Sequence, residues 1–486
     1  MSVLIETAGH VPNFEANAVE WQKLNFVNNK KSLEINVPLL SSSQCEEMCT
    51  YVSKHSNNFL KQQTTNTIIE IIDKAIERLL NRNDPFRQKA EELLPIVTGF
   101  SSEVIKLGLT DYLKTFRKPQ LKRFVSEDFS NPKMLDDFQP IIKGGFAKAF
   151  GPDIVLHIWA GNVPGLPLWS IISGLLVKAG SIGKVSSSEP LFASLFVKLL
   201  IEIEPRISDC IAIVWWPGGN VDQEAVFLKK ADVVIAYGGN ESLNQIKKRT
   251  PVTTRYLPYS HKISLGIISA LTLNPEKVWS VAHKAANDIA RYDQQGCYSP
   301  QMFFIEAGGT ISPREFAQYI AHELSCFQEK FYRRSLNEND TIMLSKWINE
   351  QGIKAISEPE REIISDKDGL WTVTYSENHD DFSLSGLNRT IQIISIDSLE
   401  QMNPILRDYK KFLQTIGVAV SPKELFQISE MLGKIGVTRI CALGSMVSPE
   451  AGWHHDGRFN LLDLIRLTEI ENSAEVSAEL YSSYKD

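Results

Sequence analysis

Short apolar runs rich in β-branched residues recur through the middle of the chain. They begin at Ile154, Ser181, Ile211 and Val233, so successive starts lie 27, 30 and 22 residues apart, with helical patterns between them. Strands that alternate with helices at this period are typical of βαβ units, whose strands form a parallel sheet. The pattern predicts a doubly wound α/β domain of the nucleotide-binding type.

A second α/β series follows, after a junction predicted near 250–261. An opening strand-containing segment with helices at 43–57, 66–81, 85–98 and 101–113 precedes the first series. The second series is predicted as strand 263–268, helix 276–292, strand 301–306, helix 313–334, strand 391–396, helix 399–416, helix 423–432 and strand 438–443. The stretch 335–387 is polar, with clusters of charge, and no element is predicted there.

One apolar run, Ile154 to Val177, is long enough for a membrane helix, since its 24 residues include no Asp, Glu, Lys or Arg. Glycine and proline residues between 161 and 167 would break such a helix and leave backbone groups unsatisfied in lipid. A strand over 154–159, a turn and a buried helix over 166–179 are predicted instead.

Composition narrows the class of protein. The 486 residues carry 51 Lys or Arg against 58 Asp or Glu, a net charge of −7, and 43% are hydrophobic, which suits a protein of several packed cores and excludes disordered chains. The acidic balance argues against a nucleic-acid partner. The N-terminus has no basic and apolar leader, so a cytoplasmic location is expected.

The six cysteines are too few and too scattered for a disulfide framework. Cys45 and Cys49 could share a helix face, but no Cys or His pair at matching spacing accompanies them, so no metal site is expected.

Three segments could carry chemistry. Asn162 lies in a Gly/Pro-rich turn after a predicted parallel strand, at the edge where open α/β sheets bind ligands. Its amide could stabilise an oxyanion, or it could simply stabilise the turn.

The second segment is 183–190, GKVSSSEP, where Lys184 and three hydroxyls precede a helix. This arrangement suits a phosphate group, and N-capping by Ser187 or Ser188 explains it equally well. The sequence Tyr237-Gly-Gly-Asn240 would allow a ligand to approach the backbone closely.

The third segment is 293–300, DQQGCYSP, which places Cys297 in a turn between a helix and a strand. Most cysteines are small core hydrophobes, and the location in a turn weakens that interpretation only partly.

Together and in this order, five segments resemble the aldehyde dehydrogenase superfamily and, within it, the LuxC-type acyl-CoA reductases known from bacterial bioluminescence. They are HIWAGNVPGLPLWS (157–170), LLVKAGSIGKVSSSEP (175–190), TTRYLPYSHKISLGII (253–268), RYDQQGCYSPQ (291–301) and WHHDGRFNLLDLIR (453–466).

The resemblance implies an α/β, aldehyde dehydrogenase-like fold with a Rossmann-type cofactor domain, an α/β catalytic domain and a small oligomerisation element. These would comprise residues 1–128 with 151–258, residues 259–455, and residues 129–150 with 456–486, respectively. The resemblance also implies a homo-oligomer, and an acyl-protein synthetase or acyltransferase as a further partner.

The resemblance implies a role for individual residues. Cys297 matches the nucleophile, preceded by Gln295, and Asn162 matches the oxyanion-hole asparagine, which acts with the Cys297 backbone N–H. Lys184 matches the lysine that reaches the adenosine ribose. Gly238 and Gly239 fall where the superfamily has its pyrophosphate-contacting Gly-Ser.

Two departures from the superfamily pattern refine the predicted reaction. Ordinary aldehyde dehydrogenases carry a Glu about 34 residues before the Cys, which activates the water that hydrolyses the acyl-enzyme. Here residues 242–273 contain five Lys or Arg and no Asp or Glu. Without that base, an acyl-Cys intermediate can persist until a hydride arrives.

The second departure concerns the cofactor. Relatives that prefer NAD carry a Glu three residues after the lysine, where this chain has Ser187, flanked by Ser186 and Ser188. Hydroxyls beside Lys184 could bind a 2′-phosphate that a carboxylate would repel. NADPH is therefore expected, in preference to NADH.

The sequence thus predicts reduction of a fatty acyl-CoA, or another acyl thioester, to an aldehyde. Two alternatives remain open: an aldehyde dehydrogenase that oxidises aldehydes, and a subunit that carries an acyl group without reducing it. The base that activates Cys297 is not identified, and the candidates are His157, His261, His454 and His455.

Overall fold

A computed structural model describes residues 3–28, 31–377 and 382–483. Its contacts divide the chain into two compact units. The first unit comprises residues 1–93, 112–260 and 450–486, and the second comprises residues 94–111 and 261–449. The assignment of segments of the chain to a cofactor domain, a catalytic domain and an oligomerisation element stays a prediction.

The N-terminal part of the chain combines strands with helices. Its elements are β1 (Val3–Thr7), β2 (Glu20–Asn28), β3 (Lys31–Leu39), α1 (Ser42–Asn58), α2 (Thr65–Leu80), α3 (Pro85–Thr98), α4 (Ser102–Lys114) and α5 (Lys118–Asp128). Helix α1 begins with a capping box, in which Ser41 accepts from the Gln44 N–H and the Gln44 side chain accepts in return. The four helices predicted here are confirmed, and α5 was not predicted.

The next part contains the first predicted βαβ series. Its elements are β4 (Gln139–Pro140), β5 (Phe146–Phe150), β6 (Ile154–Ile158), α6 (Leu166–Leu176), β7 (Gly180–Lys184), α7 (Phe192–Ile203), β8 (Ile211–Val214), α8 (Val221–Lys230), β9 (Val233–Tyr237), α9 (Asn240–Arg249) and β10 (Arg255–Tyr259).

In the first unit, five strands form a parallel sheet in the order β10-β9-β6-β7-β8. Side chains from one face, including Leu156 and Val234, form a core with apolar residues of α1, α8 and α9. On the other face, His157 and Ser181 lie against Gly174 of α6. The sheet is buried on both faces, as a doubly wound sheet requires, and this prediction is confirmed.

The apolar run that begins at Ile154 therefore forms a strand, a loop and a buried helix, as predicted. In the described part of the chain, no helix is both long and apolar enough to cross a membrane.

The following part contains the second α/β series. Its elements are β11 (Ile263–Ile268), α10 (Val278–Ala290), β12 (Pro300–Glu306), α11 (Pro313–Lys330), α12 (Glu338–Ser357), β13 (Arg361–Ser365), β14 (Thr372–Ser376), β15 (Thr390–Ile396), α13 (Met402–Arg407), β16 (Leu413–Ala419), α14 (Pro422–Lys434) and β17 (Arg439–Ala442).

In the second unit these strands form a seven-stranded sheet in the order β13-β14-β15-β12-β11-β16-β17, parallel except at β13. Helices α10 and α11 pack on one face and α13 and α14 on the other. Strand β11, between β12 and β16, is buried along its whole length.

One prediction in the second unit is wrong, and one stretch contains elements that were not predicted. The helix predicted over 399–416 ends at Arg407, and Leu413–Ala419 forms strand β16 beside β11. A strand buried on both faces has a continuous apolar pattern, which periodicity alone does not distinguish from a helix. The stretch 335–387, described above only as polar, contributes α12 and the strands β13 and β14.

The last part contributes β18 (Arg466–Ile470) and α15 (Asn472–Glu479). Strand β18 pairs antiparallel with β5, which also pairs with β4, so a small three-stranded sheet joins the two segments predicted as the oligomerisation element. Its role in assembly stays a prediction.

Candidate functional site

Lys184 ends strand β7 and is half-buried beside an aromatic ring. Its ammonium lies 5.9 Å from the centroid of the Trp216 ring. Burial lowers the pKa of Lys184, and the charge of Glu224 partly opposes this. Glu224 itself forms a salt bridge with Arg249. Among the described residues, the Lys184 ammonium has no hydrogen-bond or salt-bridge partner, so it can accept an anionic ligand.

The three serines after Lys184 form a turn of their own. The Ser187 hydroxyl accepts a hydrogen bond of 2.9 Å from Nε1 of Trp215, and the hydroxyls of Ser186 and Ser188 lie 2.9 Å apart. Ser187 and Ser188 are exposed. Because a hydroxyl that accepts one bond can still donate another, Ser187 remains able to bind a phosphate oxygen.

The N-cap explanation for these serines is wrong, because Glu189 serves the helix instead. Its carboxylate accepts from the backbone N–H groups of Leu191 (2.8 Å) and Phe192 (2.9 Å), at the start of α7. Burial raises the pKa of Glu189 to about 7. The Glu189 side chain, next to the serines, is thus buried, and the residue is only 4% exposed.

Asn162 is exposed in the loop between β6 and α6. The preceding Gly161 lies against the serine turn, where a side chain would collide with the hydroxyls of Ser186 and Ser188. The glycine thus allows the Asn162 loop and the serine turn to approach each other closely at one edge of the sheet.

Gly238 and Gly239 follow β9 and lead into α9. The Gly238 N–H donates to the Tyr259 carbonyl at 3.2 Å, and Gly239 is the N-cap of α9. A Cβ atom at Gly238 would meet no described atom within 4 Å, so this turn has space for a ligand.

Aromatic rings of the first unit stack beside this glycine turn. The ring of Tyr259 is 4.9 Å from that of Tyr237 and 4.5 Å from that of His455, centroid to centroid. Nε2 of His454 lies 3.4 Å from Oδ1 of the buried Asp128, whose other oxygen accepts from backbone N–H groups. Both histidines thus lie in contacts between the C-terminal segment and the rest of the first unit.

His157, another candidate base, is fully buried in β6. Neither ring nitrogen has a hydrogen-bond partner among the described residues, and burial lowers its pKa to about 3. A group that stays neutral and closed off from solvent is a poor general base, so the structure argues against His157. His261 is exposed at the start of the second unit.

Cys297 lies in the second unit between a 3-10 turn, Arg291–Gln294, and strand β12, and it is partly exposed. Burial raises the pKa of four other thiols to between about 11 and about 12. These are Cys45, Cys49, Cys210 and Cys441. Since the thiolate is the nucleophile, these four are unsuited to attack a carbonyl.

The backbone around Cys297 is unusually constrained. Tyr292, Asp293 and Gln294 have φ values of 50°, 46° and 62°, in the left-handed region that residues other than glycine seldom adopt. The facing residues 387–389 have φ values of 56°, 52° and 68°. Such conformations persist only where the surrounding structure enforces them, and they concentrate at functional sites.

A buried ion pair holds these two turns together. Nε of Arg389 lies 2.6 Å from Oδ1 of Asp293, and both side chains have no exposed surface. Oδ2 of Asp293 accepts from the Arg334 N–H at 2.8 Å. The amide of Gln294 accepts from the N–H groups of Arg389 and Thr390 and donates to the Thr390 carbonyl.

Gln295, two residues before the thiol, donates to Oδ1 of Asn388 at 3.2 Å. On the other side, the Ser264 hydroxyl donates to the Cys297 carbonyl at 2.7 Å. Ser264, Arg389 and Asn388 were not predicted from the sequence. Their partners lie far along the chain, and no local motif marks them.

The comparisons with known proteins agree with this architecture. The LuxC family model, described as acyl-CoA reductase (LuxC), matches residues 60–467. A long-chain acyl-protein thioester reductase from Photorhabdus luminescens is 25% identical over 468 residues, which cover 94% of this chain and 91% of that protein. A protein of the same name from Aliivibrio fischeri is 25% identical over 475 residues, covering 95% and 92%.

Among solved structures, aldehyde dehydrogenase 21 from Physcomitrella patens matches with a TM-score of 0.75 and 12% identity, over 97% of this chain and 99% of that one. This likeness shows the fold, so the predicted α/β aldehyde dehydrogenase-like fold class is confirmed. The family model matches residues 60–467, which are most of this chain. The chain therefore belongs to the LuxC family of acyl-CoA reductases.

Proposed function

We propose that the protein reduces a long-chain acyl thioester to an aldehyde, with Cys297 as the acyl acceptor and NADPH as the reductant. The observation that carries this proposal is the pre-organised loop around Cys297, in a chain of an acyl-CoA reductase family. Acyl-CoA and an acyl group bound to a partner protein share the same thioester chemistry, and the names of the curated relatives point to the second.

In the first step, the Cys297 thiolate attacks the thioester carbonyl carbon. The family resemblance assigns the Asn162 amide and the Cys297 N–H as donors to the oxygen that becomes negative, and one such donor typically contributes about 2.7–4 kcal/mol. The carbonyl re-forms, the bond to the donor sulfur breaks, and that thiolate leaves and takes up a proton. The product is an acyl-Cys297 thioester.

The residues of the first unit fit a phosphorylated nicotinamide cofactor. Lys184 offers an ammonium that has no hydrogen-bond or salt-bridge partner among the described residues, Ser186 and Ser187 offer hydroxyls, and the Gly238-Gly239 turn leaves room beside its backbone. When bound, NADPH would supply the hydride that, together with a proton from solvent, converts the acyl-Cys carbonyl to a thiohemiacetal and leaves NADP+. Collapse of that adduct breaks its carbon–sulfur bond and returns the Cys297 thiol with a free aldehyde.

The proposal is tested by incubating the protein with a long-chain acyl-CoA without NADPH and measuring its intact mass. The wild type is expected to gain one acyl group, Cys297→Ala none, and Asn162→Ala to acylate about a hundredfold more slowly. Cys326→Ala, at another partly exposed thiol, is the matched control and is expected to acylate like the wild type.

Addition of NADPH is then expected to discharge the acyl group as an aldehyde. An acyl group retained in the presence of NADPH would instead indicate the non-reducing carrier subunit, and discharge as a fatty acid would indicate the oxidising dehydrogenase. Acylation of Cys297→Ala would overturn the nucleophile assignment.

A further inference from the structure

Strand β11 is irregular at Ser264. Its register against β12 shifts between Ser264 and Gly266, and its register against β16 shifts between Ile263 and Leu265. The ladder is thus disturbed on both sides of the strand at the same point. Irregularities of this kind redirect a side chain and are frequent beside active sites.

The redirected hydroxyl of Ser264 is fully buried and has two partners. It donates to the Cys297 carbonyl at 2.7 Å and accepts from the Thr415 N–H at 3.2 Å. With one bond on each side, the hydroxyl has a single orientation. Strands β11 and β16 therefore hold the backbone of Cys297 from the interior of the sheet.

Cys297 is in this way held at two points. Gln295 is tied to Asn388 on one side, and the carbonyl of Cys297 itself is tied to Ser264 on the other. Between these points, the backbone torsions that direct the thiol have little freedom. Misplacement of a reacting group by about 1 Å can cost on the order of a hundredfold in rate.

We propose that Ser264 is a positioning residue for acyl transfer, which orients the Cys297 thiol through its hydrogen bond to the Cys297 carbonyl. The proposal rests on the function proposed above. It predicts that the Ser264 hydroxyl affects the acylation step, whereas release of an acyl group already attached depends on it much less.

The test compares Ser264→Ala with the wild type in two separate measurements. The rate of acylation by a long-chain acyl-CoA without NADPH, followed by intact mass, is expected to fall tenfold or more in Ser264→Ala. The rate of aldehyde release from the isolated acyl-enzyme with NADPH is expected to change less than threefold. Ser194→Ala, which removes a buried hydroxyl that accepts from the Gly9 N–H in the first unit, is the control for general destabilisation.

A second pair of variants separates the loss of the hydroxyl from a general effect of substitution on folding. Ser264→Thr keeps the hydroxyl, and Ser264→Val introduces a side chain of nearly the same volume as Thr but without a hydroxyl. Acylation should therefore be faster in the Thr variant than in the Val variant. Equal acylation rates in these two, or a rate in Ser264→Ala within threefold of the wild type, would overturn the positioning role. Failure of the wild type to acylate at Cys297 would instead overturn the proposed function.

Discussion

The strand edge of the first unit and the Cys297 loop of the second differ in how their polar groups are used. At the strand edge, Lys184 has no hydrogen-bond or salt-bridge partner among the described residues, and Ser187 is exposed. In the loop, Asp293 and Arg389 are fully buried and paired. This difference agrees with the roles proposed for the two regions, because ligand binding needs polar groups that are still available, whereas the positioning of a reactive atom needs polar groups that fix the backbone.

The largest expected effect comes from removing one charge of the buried pair. Arg389→Met leaves Asp293 buried without its partner and should lower the free energy of unfolding by about 3–5 kcal/mol. Lys184→Met should change it by less than about 1 kcal/mol and weaken NADPH binding instead, since the Lys184 ammonium has no hydrogen bond or salt bridge to lose among the described residues. Urea unfolding and calorimetric titration with NADPH measure the two quantities.

The double variant Asp293→Asn/Arg389→Met provides the control for that pair. It should be less destabilised than the sum of the two single variants, because no unpaired charge remains. A cost below about 1 kcal/mol for Arg389→Met alone would remove the contrast between the two regions.

The next largest effect is the pH dependence of stability caused by the buried ring of His157 in strand β6. His157 has a folded-state pKa of about 3 against 6.5 for the free group, so between these values only the unfolded state binds the proton. Stability is therefore lost as the pH falls below about 6.5, and the loss between pH 7 and pH 5 is about 2 kcal/mol from this residue.

His157→Leu should remove that part of the acid sensitivity, as measured by urea unfolding at the two pH values. Ser181→Ala, which changes a buried hydroxyl on the same face of the sheet, should keep it. An unchanged pH dependence in His157→Leu would show that the ring is not held neutral by burial.

The smallest expected effect tests cofactor choice at the strand edge. Ser187→Glu places a carboxylate where the 2′-phosphate is proposed to bind and should weaken NADPH binding tenfold or more, about 1.4 kcal/mol, while NADH binding is maintained or improved. Dissociation constants for the two cofactors measure this directly. Ser187→Gln, of similar size without the charge, is the control, and equal losses for both cofactors would argue against a phosphate at Ser187.

The sequence was informative where structure depends on local pattern. The alternation of apolar strands with helices predicted four of the five strands of the parallel sheet in the first unit, because βαβ units repeat at short range. The fifth strand, β10, lies where only a junction was predicted. The pattern failed at Leu413–Ala419, where a strand buried on both faces has the apolar run of a buried helix. It also missed α12, whose few buried positions are separated by exposed charges.

The residues of the candidate site also divide into those predicted from the sequence and those that only the tertiary structure revealed. Cys297, Asn162 and the Lys184-to-Ser188 segment were predicted from the sequence, because each lies in a recognisable motif next to a strand. The contacts of Ser264 and Arg389 required the tertiary structure. Arg389 meets Asp293 across 96 residues and Ser264 meets Cys297 across 33. Which of many buried polar residues become partners is set by sheet register and loop packing, and no local pattern encodes that.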